Sequence, residues 1–252
     1  HIHGATGGPV GMLNNNVLQR SDFLTGAFPA EYGNGLSGAF DLRMRNGNNR
    51  KREYLAQLGF NGFEFGAEGP FIKGKNASYL INYRYSMLGL VDELLWVDGL
   101  PKYQDLTFKL HFPGKKHSFS VFGLGGISEI VFTDSVKVSE EIERWIQMPN
   151  GSKTGILSFN HKYFITKKTW LNNSVSITTA IPFSRIDSLS GEDGEILKTL
   201  YEDQEQQNDL IFQSSLTHKF NKKNKLKVGA TVHNYSVDFF INEYGYYSDN
   251  DS

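Results

Sequence analysis

Apolar and polar residues alternate along most of this chain. Leu106, Phe108, Leu110 and Phe112 take one face of a strand, and Thr107, Lys109 and His111 take the other. Leu171, Val175, Ile177, Ile181 and Phe183 oppose Trp170, Asn172, Ser174, Ser176 and Thr178. Leu210, Phe212, Leu216 and Phe220 oppose Ile211, Gln213, Ser215, Thr217 and Lys219. Leu226, Val228, Ala230 and Val232 oppose Lys225, Lys227, Gly229, Thr231 and His233. Successive side chains of a strand point to opposite sides, so each of these segments has one apolar and one wet face. The pattern predicts about nine strands, near 53–60, 63–70, 78–89, 103–112, 117–132, 154–165, 169–186, 207–220 and 225–241. Asn61-Gly62 reads as a tight hairpin turn. Helical periodicity is scarce. A soluble sandwich and a membrane barrel both produce this alternation.

The connections separate the two. Gly114-Lys115-Lys116-His117, Thr166-Lys167-Lys168-Thr169 and Asn221-Lys222-Lys223-Asn224-Lys225 are short and basic. Val91 to Tyr103, Thr133 to Lys153 and Leu189 to Gln207 read as long, acidic or mixed loops. Short and long connections alternate, as in outer-membrane barrels with short periplasmic turns and long extracellular loops. A sandwich has no reason to sort its connections in this way.

Composition fits that reading. Aromatic residues make up 13% of the 252 residues while charged residues make up 21%. Mean hydropathy is -0.40. A polar chain this rich in Phe and Tyr suits a sheet with one face in lipid and one in water. Tyr79, Tyr83, Tyr85, Trp96, Tyr103, Trp145, Tyr163, Trp170, Tyr244, Tyr246 and Tyr247 gather towards strand ends and loops, where interfacial girdles form. The formal net charge of -1 gives no global attraction for nucleic acid. Cysteine is absent, which removes disulfides and thiolate chemistry.

The stretch DFLTGAFPAEYGNGLSGAFDLRMRNG, Asp22 to Gly47, is of another kind. Glycines surround Tyr32, and an alternating strand from Ala39 to Arg45 follows. Gly26, Tyr32, Gly33, Gly38 and that strand resemble the last part of the plug domain of TonB-dependent outer-membrane receptors. GGPVGMLNNN (Gly7 to Asn16) and FPAEYGN (Phe28 to Asn34) look most like the Bacteroidota-type members. The resemblance covers roughly the first fifth of the chain. It implies an all-β protein: residues 1–50 as the C-terminal part of a plug, and 51–252 as about nine strands of a larger plugged, antiparallel transmembrane barrel. The chain then reads as a fragment, without the front of the plug or the rest of the wall.

The same resemblance implies energy-coupled import across the outer membrane. A small-molecule or oligomeric nutrient binds the long loops and the plug apex. The TonB complex pulls on an N-terminal box that this fragment lacks, and a surface lipoprotein is a further partner. Gly26, Tyr32, Gly33, Gly35 and Gly38 are expected to shape the plug turn. Glu31, Asp41, Arg43 and Arg45 are expected to meet wall charges of opposite sign, with Glu64, Glu68, Arg84 and Lys109 as candidate partners. Ligand contacts are expected from 91–103, 133–153 and 189–207. No cofactor is implied.

Other motifs carry less. Gly33-Asn34-Gly35-Leu36-Ser37-Gly38 matches G-x-G-x-x-G, but a loop precedes it and AFDLRMR follows in strand alternation, so the dinucleotide context is missing. His1 and His3 are the only closely spaced histidines, and Asp249, Asn250 and Asp251 lack the Gly and distal Glu of a calcium loop. No nucleophile elbow, P-loop or zincin helix occurs, so no catalytic residue is assigned. Two alternatives stand beside the importer: a soluble secreted β-sheet module that binds glycan, and a small complete barrel with an even strand count.

Overall fold

A computed structural model describes residues 14–25, 32, 38–59, 62–88, 99–137, 143–191 and 194–243. The protein is all-β. β1 (Leu18–Thr25) and β2 (Gly38–Met44) form a two-stranded antiparallel sheet. Nine further strands follow: β3 (Glu53–Gly59), β4 (Gly62–Pro70), β5 (Ser78–Ser86), β6 (Lys102–Phe112), β7 (His117–Lys137), β8 (Glu143–Phe164), β9 (Thr169–Leu189), β10 (Ile196–Lys219) and β11 (Lys225–Glu243). They form one antiparallel sheet in simple chain order, open, with β3 and β11 at its two ends. Among the described residues, no helix is long and apolar enough to cross a membrane.

The register turns the alternation of the sequence into two opposed faces. One transverse row runs Leu110, Val121, Phe159, Val175, Phe212, Val232 from β6 to β11. The row next to it on the other face runs His111, Ser120, Asn160, Ser174, Gln213, Thr231. The apolar face lies open: Leu157 is 50% exposed and Ile177 56%. The deepest side chains are instead Leu80, Thr107, Asp187, Ser78 and Ser152. Polar groups inside and apolar groups outside invert the order of a water-soluble domain. A two-layer sandwich would press the apolar faces of its sheets together. Here the second sheet, β1 and β2, packs on the polar side.

Four features differ from the sequence reading. First, two of the three long connections are largely strand. β7 and β8 stay paired from Val131↔Pro149 to Lys137↔Glu143, inside the expected loop 133–153. β10 begins at Ile196 and pairs with β9 inside the expected loop 189–207. A paired backbone satisfies its own hydrogen bonds in water and needs no apolar face, so polar composition misled there. At 24 residues, β10 reaches about 75–80 Å at ~3.3 Å per residue, far beyond the ~30 Å hydrocarbon core of a bilayer. Of the third connection, 91–98 lie outside the described residues. Second, β1 is a strand that the alternation does not predict, because LQRSDFLT is short and mostly polar. Third, β2 runs from Gly38 rather than from Ala39. Fourth, Gly59 pairs with Gly62, and Gly62 sits in β4 with φ 135° rather than in a turn; residues 60 and 61 lie outside the described residues.

Candidate functional site

The polar face of β4 to β6 holds the leader. Asn14, buried beneath it, donates from Nδ2 to Glu64 Oε1 at 2.8 Å and to Asn82 Oδ1 at 2.9 Å. Asn16 donates to the same Glu64 oxygen at 2.8 Å, and Asn82 does so at 2.7 Å. One carboxylate oxygen of the wall thus collects three amides, two of them from the leader. Charge-assisted bonds of this sort are the stronger class of hydrogen bond.

Arg45 fastens the end of β2. Its backbone N–H donates to Val17 at 3.0 Å and its Nε to the Asn16 carbonyl at 2.7 Å. Its Nη1 lies 2.6 Å from Glu68 Oε2, which also accepts from the Asn48 backbone N–H at 2.7 Å. Lys109, on β6, donates from Nζ to the Met44 carbonyl at 2.7 Å. Between these contacts Gly47 lies flat on the wall. A Cβ at that position would sit 1.9 Å from the Tyr79 carbonyl oxygen.

The residues singled out from sequence therefore divide. Arg45, Glu64, Glu68 and Lys109 meet at the junction of leader and wall. Arg43 does not reach the wall; it pairs with Asp41 of its own strand, Nε to Oδ2 at 3.0 Å. Arg84 pairs with Asp105 within the wall at 2.7 Å. Burial and then the Asp41 carboxylate raise the Tyr32 phenol above the ordinary range. Gly38 opens β2 opposite Thr25. Gly26, Glu31, Gly33, Gly35, His1, His3 and 249–251 lie outside the described residues. Among the described residues no cluster of His, Asp or Glu is suited to hold a metal ion.

Asn14, Asn16, Asn82 and Gly47 were not singled out from sequence. The Asn14-Asn15-Asn16 run was the available signal. Consecutive amides are poor strand formers but good ligands for a buried carboxylate.

Glu68→Gln tests the junction. The variant removes the charge that Arg45 and the Asn48 N–H share. The pair is part-exposed, with side-chain exposures of 35% and 14%, so the expected loss is modest, about 1–3 kcal/mol. It should appear as faster amide exchange over 44–48 while β8 to β10 keep their protection. Unchanged exchange there would show that the ion pair does not hold the leader.

Beyond β6 the leader and the wall enclose a cleft of about 820 Å³, lined in part by Arg43, Lys109, His111, Lys162 and Lys227. A second cleft of about 220 Å³ lies on the other side of the leader, against Glu53, Glu68 and Arg45. No protein-family model, characterised protein or solved structure matches the chain.

Proposed function

We propose that the chain is part of a TonB-dependent outer-membrane importer. In this reading 51–252 form a segment of the barrel wall, and the leader is the end of the plug that the barrel encloses. The observation that carries it is the inverted sheet: an uncovered apolar face, and a polar face fastened to a leader by charged and amide groups. Hydrocarbon tolerates spanning strands only when they pair on to closure, so the reading requires further strands beyond the two ends of this sheet. Barrels of about 22 strands hold a plugged lumen.

The ends of the strands support an orientation. In an antiparallel meander every second connection lies at the same end. Lys73, Lys75, Lys115, Lys116, Lys167, Lys168, Lys222 and Lys223 all occupy the short turns of one end. Rings gather beside them. Phe71 stacks on Phe112 with centroids 5.2 Å apart, and His117 on Tyr163 at 4.7 Å. Aromatic rings and snorkelling lysines belong at a membrane surface. We assign that end to the periplasm and the long hairpins to the exterior. A nutrient ligand would reach the plug from the exterior, with or without a surface lipoprotein. A plugged pore in a membrane without ATP needs work delivered from the periplasm, the part played by the TonB complex.

The test is partition. The complete receptor should stay in the outer membrane through alkaline carbonate washing, require detergent for extraction, and migrate faster unheated than boiled. A well-folded monomer in detergent-free buffer would overturn the reading and favour a soluble glycan-binding module.

A further inference from the structure

Carboxylates stop well short of one end of the sheet. From Gly69 to Val91, Leu106 to Ser128, Arg144 to Ile186 and Leu210 to Val237 the sequence holds no aspartate or glutamate. Each of these stretches folds back through one short turn, 71–77, 113–116, 165–168 or 220–224, and all four turns lie at the same end. Each turn carries two exposed lysines, Lys115 with Lys116 and Lys167 with Lys168 at the two central turns. Among the described residues, none of these eight lysines is in an ion pair. Glu68, near the end of β4, is already bound to Arg45. In a meander the turns of one end recur every second strand, about 9–10 Å apart, close to the Debye length of ~8 Å at physiological salt, so their fields overlap.

Beside the lysines, on the apolar face, lies a band of rings. Phe112, Phe119 and His161 form a transverse row one step nearer the turns than Leu110, Val121 and Phe159. Phe71 continues it beyond Phe112 with centroids 5.2 Å apart, and the Phe119 and His161 rings stack at 4.6 Å. His117 joins through its Nδ1, 3.0 Å from His161 Nε2. Phe71 and Phe112 are 42% and 40% exposed, and Phe220 at the last turn is 55% exposed. Unpaired positive charge and uncovered rings therefore adjoin along the same edge. A soluble anion would use only the first and an apolar solute only the second. A molecule with an anionic head and a hydrocarbon tail uses both.

We infer that this end of the sheet is a docking surface for anionic phospholipid, with headgroup phosphates on the lysine turns and acyl chains along the ring band and the apolar face beyond it. The inference rests on the membrane-wall reading and goes past it: orientation needs only a membrane surface, whereas this names the lipid that the surface selects. Basic segments at a membrane surface attract anionic lipid lysine by lysine. Here the lysines are spread over four turns rather than gathered in one pocket, so they enrich a belt of such lipids instead of holding one molecule in a fixed pose.

The experiment reconstitutes the full-length protein into phosphatidylcholine vesicles with a trace of spin-labelled phosphatidylglycerol or spin-labelled phosphatidylcholine. The motionally restricted fraction of each label gives its relative association with the protein. Phosphatidylglycerol should be preferred about threefold or more at about 0.1 M salt, and the preference should fall towards one at about 1 M, where the Debye length is ~3 Å. The K115Q/K116Q/K167Q/K168Q variant should lose roughly half of the excess or more, K115R/K116R/K167R/K168R should keep it, and K198Q at the other end should leave it unchanged. Equal restriction of the two labels in the unaltered protein, or a preference that neither salt nor the folded glutamine variant reduces, would overturn the inference while leaving the wall in its membrane. Displacement of the labelled phosphatidylglycerol by inorganic phosphate would assign the lysines to a soluble anion and overturn it as well. If the glutamine variant does not assemble, the salt series on the unaltered protein decides. No restricted fraction with either label would instead remove the membrane wall itself.

Discussion

Ile177→Lys will destabilise the sheet by about 2–4 kcal/mol if hydrocarbon bathes its apolar face, and by less than about 0.5 kcal/mol if water does. Ile177 is 56% exposed and sits mid-strand on β9, between Leu157 of β8 and Leu210 of β10. More than half of this side chain is uncovered among the described residues, so the environment sets the sign and most of the size of the effect. In water a lysine there is an ordinary surface substitution. In a bilayer the ammonium must leave a hydrocarbon slab or drag water into it. Denaturant unfolding of the protein in lipid vesicles measures the difference, with Thr231→Lys on the polar face of β11 as the control. A cost confined to Ile177 supports a wall in membrane. Equal, small effects at both positions would remove it.

The strands were legible because the period of two is strong where one face is apolar. Leu106 to Phe112 and Leu226 to Val232 needed no tertiary knowledge. The upper halves of β8 and β10 were not legible, because Arg144 to Lys153 and Ile196 to Gln207 carry no sustained apolar face. Their strand character comes from partners: Gln147 opposite Thr133, and Gln204 opposite Phe183. The junction was half legible. Charge alone offered Arg43, Arg45, Glu64, Glu68, Arg84 and Lys109 together, without telling which of them join; Arg45, Glu64, Glu68 and Lys109 lie at the junction, and Arg43 and Arg84 pair elsewhere. The Arg45 to Glu68 bond spans 23 residues and depends on where the leader lands, which no local pattern encodes. Lys109 was expected to meet a charge and meets the Met44 carbonyl instead. Arg43 shows the competing rule: a carboxylate two residues away on the same strand face captures a guanidinium before a distant wall does.

Gly47→Val should separate leader from wall more completely than any loss of charge. The glycine is buried where the chain leaves β2, and it needs no left-handed conformation; what it needs is closeness. A Cβ there would lie 1.9 Å from the Tyr79 carbonyl oxygen and 2.6 Å from the Tyr79 carbonyl carbon. Both atoms belong to the backbone of β5, which is paired with β4 on one side and β6 on the other. A side chain could swing away; a strand held on both sides cannot, so the leader must lift. Lifting by even one to two ångströms breaks the 2.6 Å bond of Arg45 to Glu68 and the 2.7 Å bond of Lys109 to Met44 together. Losing two charge-assisted bonds and the close contact costs roughly 3–5 kcal/mol, a large share of the 5–15 kcal/mol that ordinarily holds a domain folded. The wall keeps its own ladder through all of this. The expected result is therefore selective: the variant assembles with normal heat-modifiable mobility, while protease cuts the leader between 38 and 48 at least tenfold faster. Gly59→Val is the matched control, since a Cβ there meets nothing within 4 Å. Equal protection of the leader in both variants would mean that the leader does not rest on β5, and the cork-and-wall arrangement would fall with it.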